Sequence, residues 1–336
     1  MIAEIKKFAE KNKLVVTIAV AALLLLIPLI LGSPYLLRVA IMICIFVILS
    51  SSLNLIIGFT GMFSLAHAAF YGIGAYCSAL LSIKVGLPFL ITLPLAGILA
   101  GLIGAIIGLA TLRLRETFLV FGTLAFGEIV RIVIMNWTSL TRGPMGIPGI
   151  PFPKIFGFEI SNYTHYYYMV LFFAVIVVLL IRRLYNSRVG RAFIALREDE
   201  TGAASMGVNV FAYKVWAFAL GCFFAGIAGA LYAHFVRYIS ADQFGVNESF
   251  AILTMVALGG TGSIIGPIVG AVILMVFPEL FRFLAEYRMV LYGLILIVIM
   301  MFKPEGIAGF KGMFPRDFDM MSIFKRKKSK TEVEEA

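Results

Sequence analysis

Long apolar runs separated by short polar connections make up most of the chain. A helix needs ~20 residues to cross a hydrocarbon core of ~30 Å, and most of these runs reach or approach that length. Because lipid offers no hydrogen bonds, each span must satisfy its own backbone, and these lengths favour helices over barrel strands. The predicted spans are Leu14–Leu31, Tyr35–Ile57, Met62–Ile83, Pro88–Leu112, Phe118–Met135, His165–Ile181, Val215–Val236, Phe250–Leu280 and Met289–Phe302.

One of these runs, Phe250–Leu280, is longer than a single span and is interrupted by the glycine-rich segment Gly259–Ser263. We therefore expect two shorter helices there. The pattern predicts an all-α polytopic membrane protein with about ten transmembrane helices, some of them broken. The composition agrees, because 61% hydrophobic residues and a mean hydropathy of +1.01 lie far above the values of globular domains.

The basic residues predict how the spans are oriented, because cytoplasmic loops carry the excess of Lys and Arg. With ten crossings, a cytoplasmic N-terminus and the Gly259–Ser263 break as a cytoplasmic turn, twenty basic residues lie inside and seven outside. This bias predicts cytoplasmic termini, with eight crossings as the alternative if the short helices re-enter. The net charge of +10 therefore reflects orientation and not a nucleic-acid surface. The predicted division is a basic N-tail at 1–13, a transmembrane domain at 14–302 and a basic C-tail at 303–336.

The span Pro88–Leu112 carries a stripe of small residues at helical spacing. Such a stripe forms a flat strip on one face, which lets a second helix approach closely. We expect this face to serve helix packing and not to line a pore. The stripe consists of Gly97, Gly101, Gly104 and Gly108.

Two segments, Gly58–Tyr76 and Gly259–Gly270, hold more small and polar residues than a lipid-facing helix needs. Helices broken inside a bundle expose backbone amides and carbonyls, which can bind a small polar substrate near the middle of the membrane. We interpret both segments as parts of a substrate path, with tight helix packing as the alternative. The predicted path residues are Gly58, Gly61, Ser64, His67, Gly72, Gly74, Gly259, Gly260, Thr261, Gly262 and Ser263.

Glu128 and Arg131 lie three residues apart within the span Phe118–Met135. Charges in hydrocarbon are costly and normally face the interior of a bundle, and this spacing allows the two side chains to pair. A structural ion pair and a gating role both remain open.

The chain shows none of the usual motifs for catalysis, such as GxSxG, HExxH or a pair of carboxylates. The run GGTGS lacks the Gly-Lys-Ser/Thr of a phosphate-binding loop, so no ATP site is predicted. The histidines have no metal-ligand spacing. Cys44, Cys77 and Cys222 fall inside apolar runs and are expected to be core residues. We predict a transport protein with no catalytic site, metal or cofactor of its own.

A charged segment, Arg182–Lys214, interrupts the apolar pattern and is predicted to be the central cytoplasmic loop. Within it, Asp199 is expected to cap a short helix over Glu200–Met206, with the charge of Glu200 favourable to the helix dipole. Gly207 follows where a left-handed stop is usual.

The short helix is expected to present Ala203 and Met206 on one face. Our hypothesis is that it inserts into another protein that supplies energy. The alternative is an ordinary solvated loop.

Four runs together resemble permease subunits of branched-chain amino-acid ABC importers. They are LNLIIGFTGMFSLAHAAFYGIGAY, GTLAFGEIVRIVIMNWTSLTRGPMGIPGIP, REDETGAASMGVNVFAYKVWAFALGCFFAGIAGALYAHF and LGGTGSIIGPIVGAVIL. The resemblance covers about Pro34–Gly309 and is greatest to the larger of the two related permeases of such importers. Ala66 departs from it, because relatives commonly have glycine before the histidine.

The resemblance implies a type II importer-like helical fold in the cytoplasmic (inner) membrane of a prokaryote. It also implies a second related permease, two cytoplasmic ATPase subunits that bind the ATP, and a periplasmic or lipid-anchored binding protein. That binding protein is expected to dock on the outer loops Asn136–Thr164 and Tyr238–Ser249. The residues implied to contact the ATPase are Arg197, Glu198, Asp199, Glu200, Ala203, Ala204, Met206 and Gly207.

The implied substrates are leucine, isoleucine and valine. A urea or short-chain amide importer would share this architecture and is kept as an alternative. An ion-coupled secondary carrier is a further alternative, for which only Glu128 is a candidate mid-membrane acid.

Overall fold

The computed structural model describes residues 24–28, 32–111, 116–155 and 157–280, with positions 290, 293–294, 297, 301 and 306–307. These residues are mostly helical, and six of the helices among them are long and apolar enough to cross a membrane. The chain is therefore a multi-pass membrane protein. Most of the predicted span Leu14–Leu31, most of Met289–Phe302 and almost all of both tails lie outside the described residues.

The first long helix, α1, spans Pro34–Thr60 and runs through the centre of the bundle. All of its residues from Cys44 to Thr60 are buried, as expected of a helix that is apolar on every side. Pro34 stands in the first turn, where its missing amide costs no hydrogen bond. Gly61 ends the helix with a φ of 75°, a conformation that glycine adopts without a Cβ penalty.

The second helix, α2, spans His67–Leu80 and continues as a π-helical turn over Leu81–Val85. The predicted span Met62–Ile83 therefore starts too early. Left-handed Gly61 and the non-helical residues after it separate α1 from α2. This break falls inside the segment Gly58–Tyr76, where a broken helix was predicted.

The remaining elements follow in chain order. The helices are α3 (Phe89–Thr111), α4 (Glu116–Asn136), α5 (Thr138–Thr141), α6 (Tyr163–Tyr185), α7 (Arg188–Glu198), α8 (Glu200–Ser205), α9 (Val210–Val236), α10 (Val246–Gly259) and α11 (Gly266–Leu280). The strands are β1 (Ile147–Pro148), β2 (Lys154–Ile155), β3 (Phe158–Glu159) and β4 (Tyr238–Ile239), and 3-10 turns cover Gly143–Met145 and Ala241–Phe244.

Helix α3 packs its glycine stripe against α9. A Cβ at Gly97 would meet Phe223 at 2.9 Å, and one at Gly101 would meet the same residue at 3.2 Å. At Gly104 it would meet Cys222 at 2.6 Å. The predicted packing role of these three glycines is confirmed, because a side chain at any of them would push the two helices apart.

The two predicted outer loops meet at one end of the bundle. Strand β1 pairs antiparallel with β4, which places Ile147 opposite Ile239. The Nε of Arg237 donates a 3.0 Å hydrogen bond to the carbonyl oxygen of Ile150. A ring nitrogen of His234, Nδ1, lies 2.8 Å from the carbonyl oxygen of Pro151. The loops 136–164 and 238–249 therefore form one joined surface.

One other predicted helix start needs correction, one helix was missed, and one prediction is confirmed. Helix α9 starts at Val210 and not at Val215, because the side chain of Asn209 caps it. Helix α7, within the central loop, was not predicted at all. The interrupted run Phe250–Leu280 does form two helices, α10 and α11, as the glycines indicated.

Candidate functional site

Side-chain caps give the central loop a compact helical structure. The Oγ of Ser187 accepts a 3.2 Å hydrogen bond from the amide of Gly190 at the start of α7. At the start of α9, the Oδ1 of Asn209 accepts one of 3.1 Å from Ala212. Each bond satisfies an amide that the first turn of a helix leaves without a partner. The central loop thus consists largely of capped helices.

The predicted cap of α8 is confirmed. The Oδ1 of Asp199 accepts hydrogen bonds from the amide of Thr201 at 2.9 Å and from its hydroxyl at 2.6 Å. These bonds, the hydroxyl first, together with one from the amide of Gly202, lower the pKa of Asp199, because each favours the charged carboxylate. Gly207 has the predicted left-handed conformation, with a φ of 83°.

The expectation that Ala203 and Met206 share one face of this helix is wrong. Helix α8 ends at Ser205, one residue earlier than predicted, and Met206 lies beyond it. The side chain of Ala203 is buried, whereas Met206 is 85% exposed. Ala203 therefore packs against this chain, and Met206 is the residue that points away from it.

One ion pair ties α8 to a neighbouring helix, and a second lies within α7. Glu200, in the first turn of α8, pairs with Lys214 of α9. Glu198 accepts a 3.1 Å hydrogen bond from the Nε of Arg197. A displacement of α8 therefore reaches α9 directly and α7 through the adjacent residues.

Arg197 connects this loop to the break between α1 and α2. Its Nη1 donates a 2.8 Å hydrogen bond to the carbonyl oxygen of Gly58 in the last turn of α1. The stem of the same side chain covers Gly61, where a Cβ would meet the Cγ of Arg197 at 3.2 Å. A cleft of about 350 Å³ opens between the loop and this break, with Lys214 also in its wall.

The turn between α10 and α11 meets α1 at the same place. Asn54 accepts a 2.9 Å hydrogen bond from the amide of Gly262 and donates one of 2.8 Å to the carbonyl oxygen of Ser263. A Cβ at Gly58 would lie 2.4 Å from the amide nitrogen of Gly262, so only glycine fits there. The two segments predicted to form the substrate path thus contact each other beside Arg197.

The remaining predicted path residues of the α10–α11 turn differ in their contacts and exposure. Gly260 has a φ of 110°, and Gly259 packs so closely on Gly266 that a Cβ would lie 1.8 Å from its carbonyl oxygen. The hydroxyl of Ser263 accepts a 2.7 Å hydrogen bond from Gly266. Thr261 is exposed at the tip. The glycines therefore make the sharp reversal possible, and Thr261 faces outward.

Side-chain hydroxyls satisfy the backbone amides at the start of α2. The amide of Leu65 donates to the Oγ1 of Thr123 and that of Ala68 to the Oγ of Ser249, both at 3.1 Å. Ser64 is buried and accepts a 3.4 Å hydrogen bond from Ala66. The amides of Leu65, Ala66 and Ala68 at this break are therefore occupied in this conformation.

His67 lies at the first position of α2 and is almost fully buried. Its Nε2 is 2.7 Å from the Oγ of Ser52 in α1. Its Nδ1 has no hydrogen-bond partner among the described residues. One ring nitrogen therefore links the two helices across the break.

The alanine at position 66 fits its backbone without strain. Its φ of −90° and ψ of 4° lie in a region that residues with a Cβ can occupy. The departure from the glycine of the family pattern is therefore compatible with this turn.

The glycines further along α2 make close contacts. A Cβ at Gly72 would meet Phe244 at 2.9 Å, and one at Gly74 would meet the carbonyl oxygen of Gly226 in α9 at 2.3 Å. Helix packing accounts for Gly74. Gly72 instead contacts the 3-10 turn that precedes α10.

Glu128 and Arg131 pair as predicted, with a distance of 2.9 Å between Oε2 and Nε. Arg131 also contacts Asp242 in the 3-10 turn at 3.2 Å. No local pattern indicates this third partner, because it is 111 residues away from Arg131. The triad fastens the turn before α10 to α4.

In the described part of the chain, no three His, Cys, Asp or Glu side chains come together as a metal site would require. The polar groups that do converge are hydroxyls, backbone amides and one guanidinium. They lie around the breaks between α1 and α2 and between α10 and α11. Such groups hold or guide a solute by hydrogen bonds.

Comparison with known families identifies this arrangement. Residues 35–300 match the family of the branched-chain amino acid transport system permease component. The chain belongs to this family. It is thus a non-enzymatic membrane subunit of an ABC transporter for branched-chain amino acids.

Individual relatives agree with the family. The permease is 37% identical to the high-affinity branched-chain amino acid transport system permease protein LivM of Salmonella typhimurium, over 80% of this chain and 69% of that protein. It is 27% identical to the probable branched-chain amino acid transport permease LivM of Methanocaldococcus jannaschii, over 66% and 69%. It is also 27% identical to the permease LivH of Salmonella typhimurium, over 76% and 88%. No solved structure matches the permease significantly.

Proposed function

We propose that this permease carries leucine, isoleucine or valine across the cytoplasmic membrane of a prokaryote. Separate ATPase subunits bind and hydrolyse the ATP, and an extracytoplasmic binding protein delivers the substrate. A second, related permease completes the membrane domain. The names of the relatives support the substrate class, and the similarity to both LivM and LivH supports a pair of related permeases.

The observation that carries this proposal is the hydrogen bond from Arg197 to the carbonyl oxygen of Gly58. It joins the loop proposed to contact the ATPase to the helix break proposed to line the substrate path. When the ATPase pair closes on ATP, α8 and α7 move, and Arg197 passes the displacement to the end of α1. Asn54 then passes it to the α10–α11 turn through its two bonds to Gly262 and Ser263.

The proposed ATPase contact has an exposed part and an anchoring part. Glu198, Glu200 and Met206 are half-exposed or exposed and available to a partner. Asp199, Ala203, Ala204 and Gly207 set the shape of α8. Arg197 transmits the movement inward.

The proposed substrate path runs along the break between α1 and α2. The amides of Leu65 and Ala68 hold the hydroxyls of Thr123 and Ser249 in this conformation. A substrate carboxylate is a stronger acceptor than a hydroxyl and can replace them. No amide is left without a partner during that exchange, so its cost in the membrane interior stays low. A permease site of this kind binds weakly, which allows release.

The joined outer loops form the proposed docking surface for the binding protein. Strand pairing between β1 and β4 and the Arg131–Asp242 contact link this surface to α4 and α10. In the proposed topology the chain crosses the membrane ten times within residues 14–302, and residues 1–13 and 303–336 are cytoplasmic. The Gly259–Ser263 turn then lies on the cytoplasmic side together with the central loop that it contacts.

Transport by the complete importer in proteoliposomes tests this function. The permease, its partner permease and the ATPases are reconstituted, and the binding protein and labelled leucine are supplied outside. We expect uptake that requires ATP and that isoleucine and valine compete for, while urea and short amides do not. Uptake that urea abolishes, or that follows an ion gradient without ATP, would overturn the proposal.

A further inference from the structure

Two tyrosine hydroxyls on α2 have no hydrogen-bond partner among the described residues. They belong to Tyr71 and Tyr76, whose side chains are 2% and 4% exposed. A buried polar group without a partner is unfavourable and rare in folded proteins. Two such groups on one helix, next to the proposed substrate path, point to a partner that is present only during transport.

Aromatic rings pack against the rings of these two tyrosines. The ring of Tyr71 lies 5.3 Å from that of Tyr232 in α9 and 5.1 Å from that of Phe244, centroid to centroid. The ring of Tyr76 lies 6.0 Å from Phe244. Phe244 belongs to the 3-10 turn directly before α10, so the wall of this aromatic cluster depends on where α10 lies.

A carboxylate stands beside the cluster. Glu248 lies in the first turn of α10, and the next residue, Ser249, accepts the hydrogen bond from the amide of Ala68 at 3.1 Å. This contact places the start of α10 against the first turn of α2, just before Tyr71. The charge of Glu248 is within electrostatic reach of both Tyr71 and Tyr232.

We propose that Tyr71, Tyr76, Tyr232, Phe244 and Glu248 bind the α-ammonium group of the amino acid as it passes through the permease. This inference rests on the proposed function. It explains how the permease recognises an amino acid rather than an uncharged solute. Glu248 supplies the opposite charge, and the phenol oxygens accept hydrogen bonds from the ammonium group. The aromatic faces attract a cation and also contact an apolar side chain.

The geometry also orients the substrate. The amides of Leu65 and Ala68, proposed above to meet the carboxylate, lie in the break before α2 and in the first turn of α2, and Ala68 is one helical turn before Tyr71. An α-amino acid places its carboxylate and its ammonium group on adjacent atoms, so both can be held at once. Urea and simple amides carry no cation and gain nothing from Glu248. The cluster is closed here, and a movement of α10 away from α2 opens it.

The test compares Glu248→Gln and Tyr71→Phe with the wild type in the complete reconstituted importer. The measured quantity is leucine delivered per ATP hydrolysed, at saturating liganded binding protein. Removing one charge-assisted hydrogen bond predicts a fall of about tenfold or more for Glu248→Gln, and a smaller fall for Tyr71→Phe. Tyr168→Phe, which removes an α6 hydroxyl that donates to the carbonyl oxygen of Leu25, serves as the control and should match the wild type.

Thermal unfolding of Tyr71→Phe separates a substrate role from a structural one. The variant loses a hydroxyl that has no partner in the described structure, so its midpoint should equal or exceed that of the wild type. Wild-type delivery by both variants, or a lowered midpoint for Tyr71→Phe, would overturn this assignment and leave the proposed function standing. Failure of the wild-type importer to take up leucine would instead overturn the proposed function, and this assignment with it.

Discussion

The guanidinium of Arg197 donates a 2.8 Å hydrogen bond to the carbonyl oxygen of Gly58, a residue 139 positions earlier in the chain. The last four carbonyls of a helix have no partner within it, and Gly58 stands in the last turn of α1. Arg197 therefore satisfies a helix end inside the bundle and at the same time fixes the central loop to it. This one contact joins the part of the permease proposed to receive work from ATP to the part proposed to move substrate.

The first prediction concerns the fit of Gly58. In Gly58→Ala the new Cβ would lie 2.1 Å from the Oδ1 of Asn54 and 2.4 Å from the amide of Gly262. Overpacking of this kind costs about 1–3 kcal/mol. We expect thermal unfolding to show that loss of stability and import to fall with it.

Gly127→Ala is the matched control for this variant. Gly127 is also helical, but a Cβ added there would meet its nearest atom, the Cα of Ala66, at 3.7 Å, which is an ordinary contact. Its stability should equal that of the wild type. If Gly58→Ala is as stable as the control, α1 and the α10–α11 turn are not in the contact described here.

The second prediction concerns pH. Hydrogen bonds from the Thr201 hydroxyl and from the amides of Gly202 and Thr201 hold the pKa of Asp199 below its ordinary value of 3.8. A carboxyl with a lowered folded-state pKa stabilises the fold above its unfolded pKa and loses that effect as the pH falls through the folded one. The cap of α8 should therefore be intact at neutral pH and lost only below about pH 4.

Hydrogen exchange at the amide of Thr201, relative to its intrinsic rate, measures this loss. Asp199→Asn is the matched control, because asparagine caps a helix equally well and does not titrate. Its protection should stay constant over the same pH range. Equal pH profiles for the two proteins would show that the Asp199 carboxylate does not hold α8.

The third prediction concerns Gly207. This residue has a φ of 83° and open space around the position of a Cβ, so backbone strain is the only penalty there. In Gly207→Val that strain costs roughly 1–2 kcal/mol, and the turn after α8 should change. We expect substrate-stimulated ATP hydrolysis to be lost without unfolding of the spans. Gly207→Asn should retain it, because asparagine tolerates the left-handed region, and equal loss in both variants would contradict this explanation.

The fourth prediction concerns the contact between Arg131 and Asp242. Their side chains are 29% and 76% exposed, so we expect a coupling energy of about 0.2–1 kcal/mol. A double-mutant cycle of Arg131→Gln and Asp242→Asn in thermal unfolding measures it. A structural role predicts this coupling with little change in import. Loss of import at unchanged stability would favour a gating role instead.

The sequence predicted the helical architecture well, because each signal was local. Apolar runs located the spans, and the glycines at Gly61 and Gly259–Ser263 located both breaks. Asp199 and Gly207 predicted the cap and the stop of α8 from side-chain and backbone chemistry alone. Helix α7 was missed because charged and apolar residues alternate within it, a pattern that favours a polar loop between two spans.

The sequence could not predict which distant residues meet. Nothing local indicates that Arg197 reaches Gly58, that Asp242 joins Glu128 and Arg131, or that Ser249 occupies the amide of Ala68. These pairs depend on how the helices pack. The substrate path was predicted as a set of segments, and only the tertiary structure shows that both segments contact each other where Gly58 meets Gly262.

The most direct test of the account is the number of leucine molecules delivered per ATP hydrolysed by an importer that carries Arg197→Ala. Arg191→Ala serves as the control, because Arg191 lies on the same helix with an exposed side chain. We predict that Arg197→Ala lowers this ratio about tenfold or more while ATP hydrolysis continues, since one charge-assisted hydrogen bond transmits the movement. A ratio equal to that of the wild type and of Arg191→Ala would contradict the account.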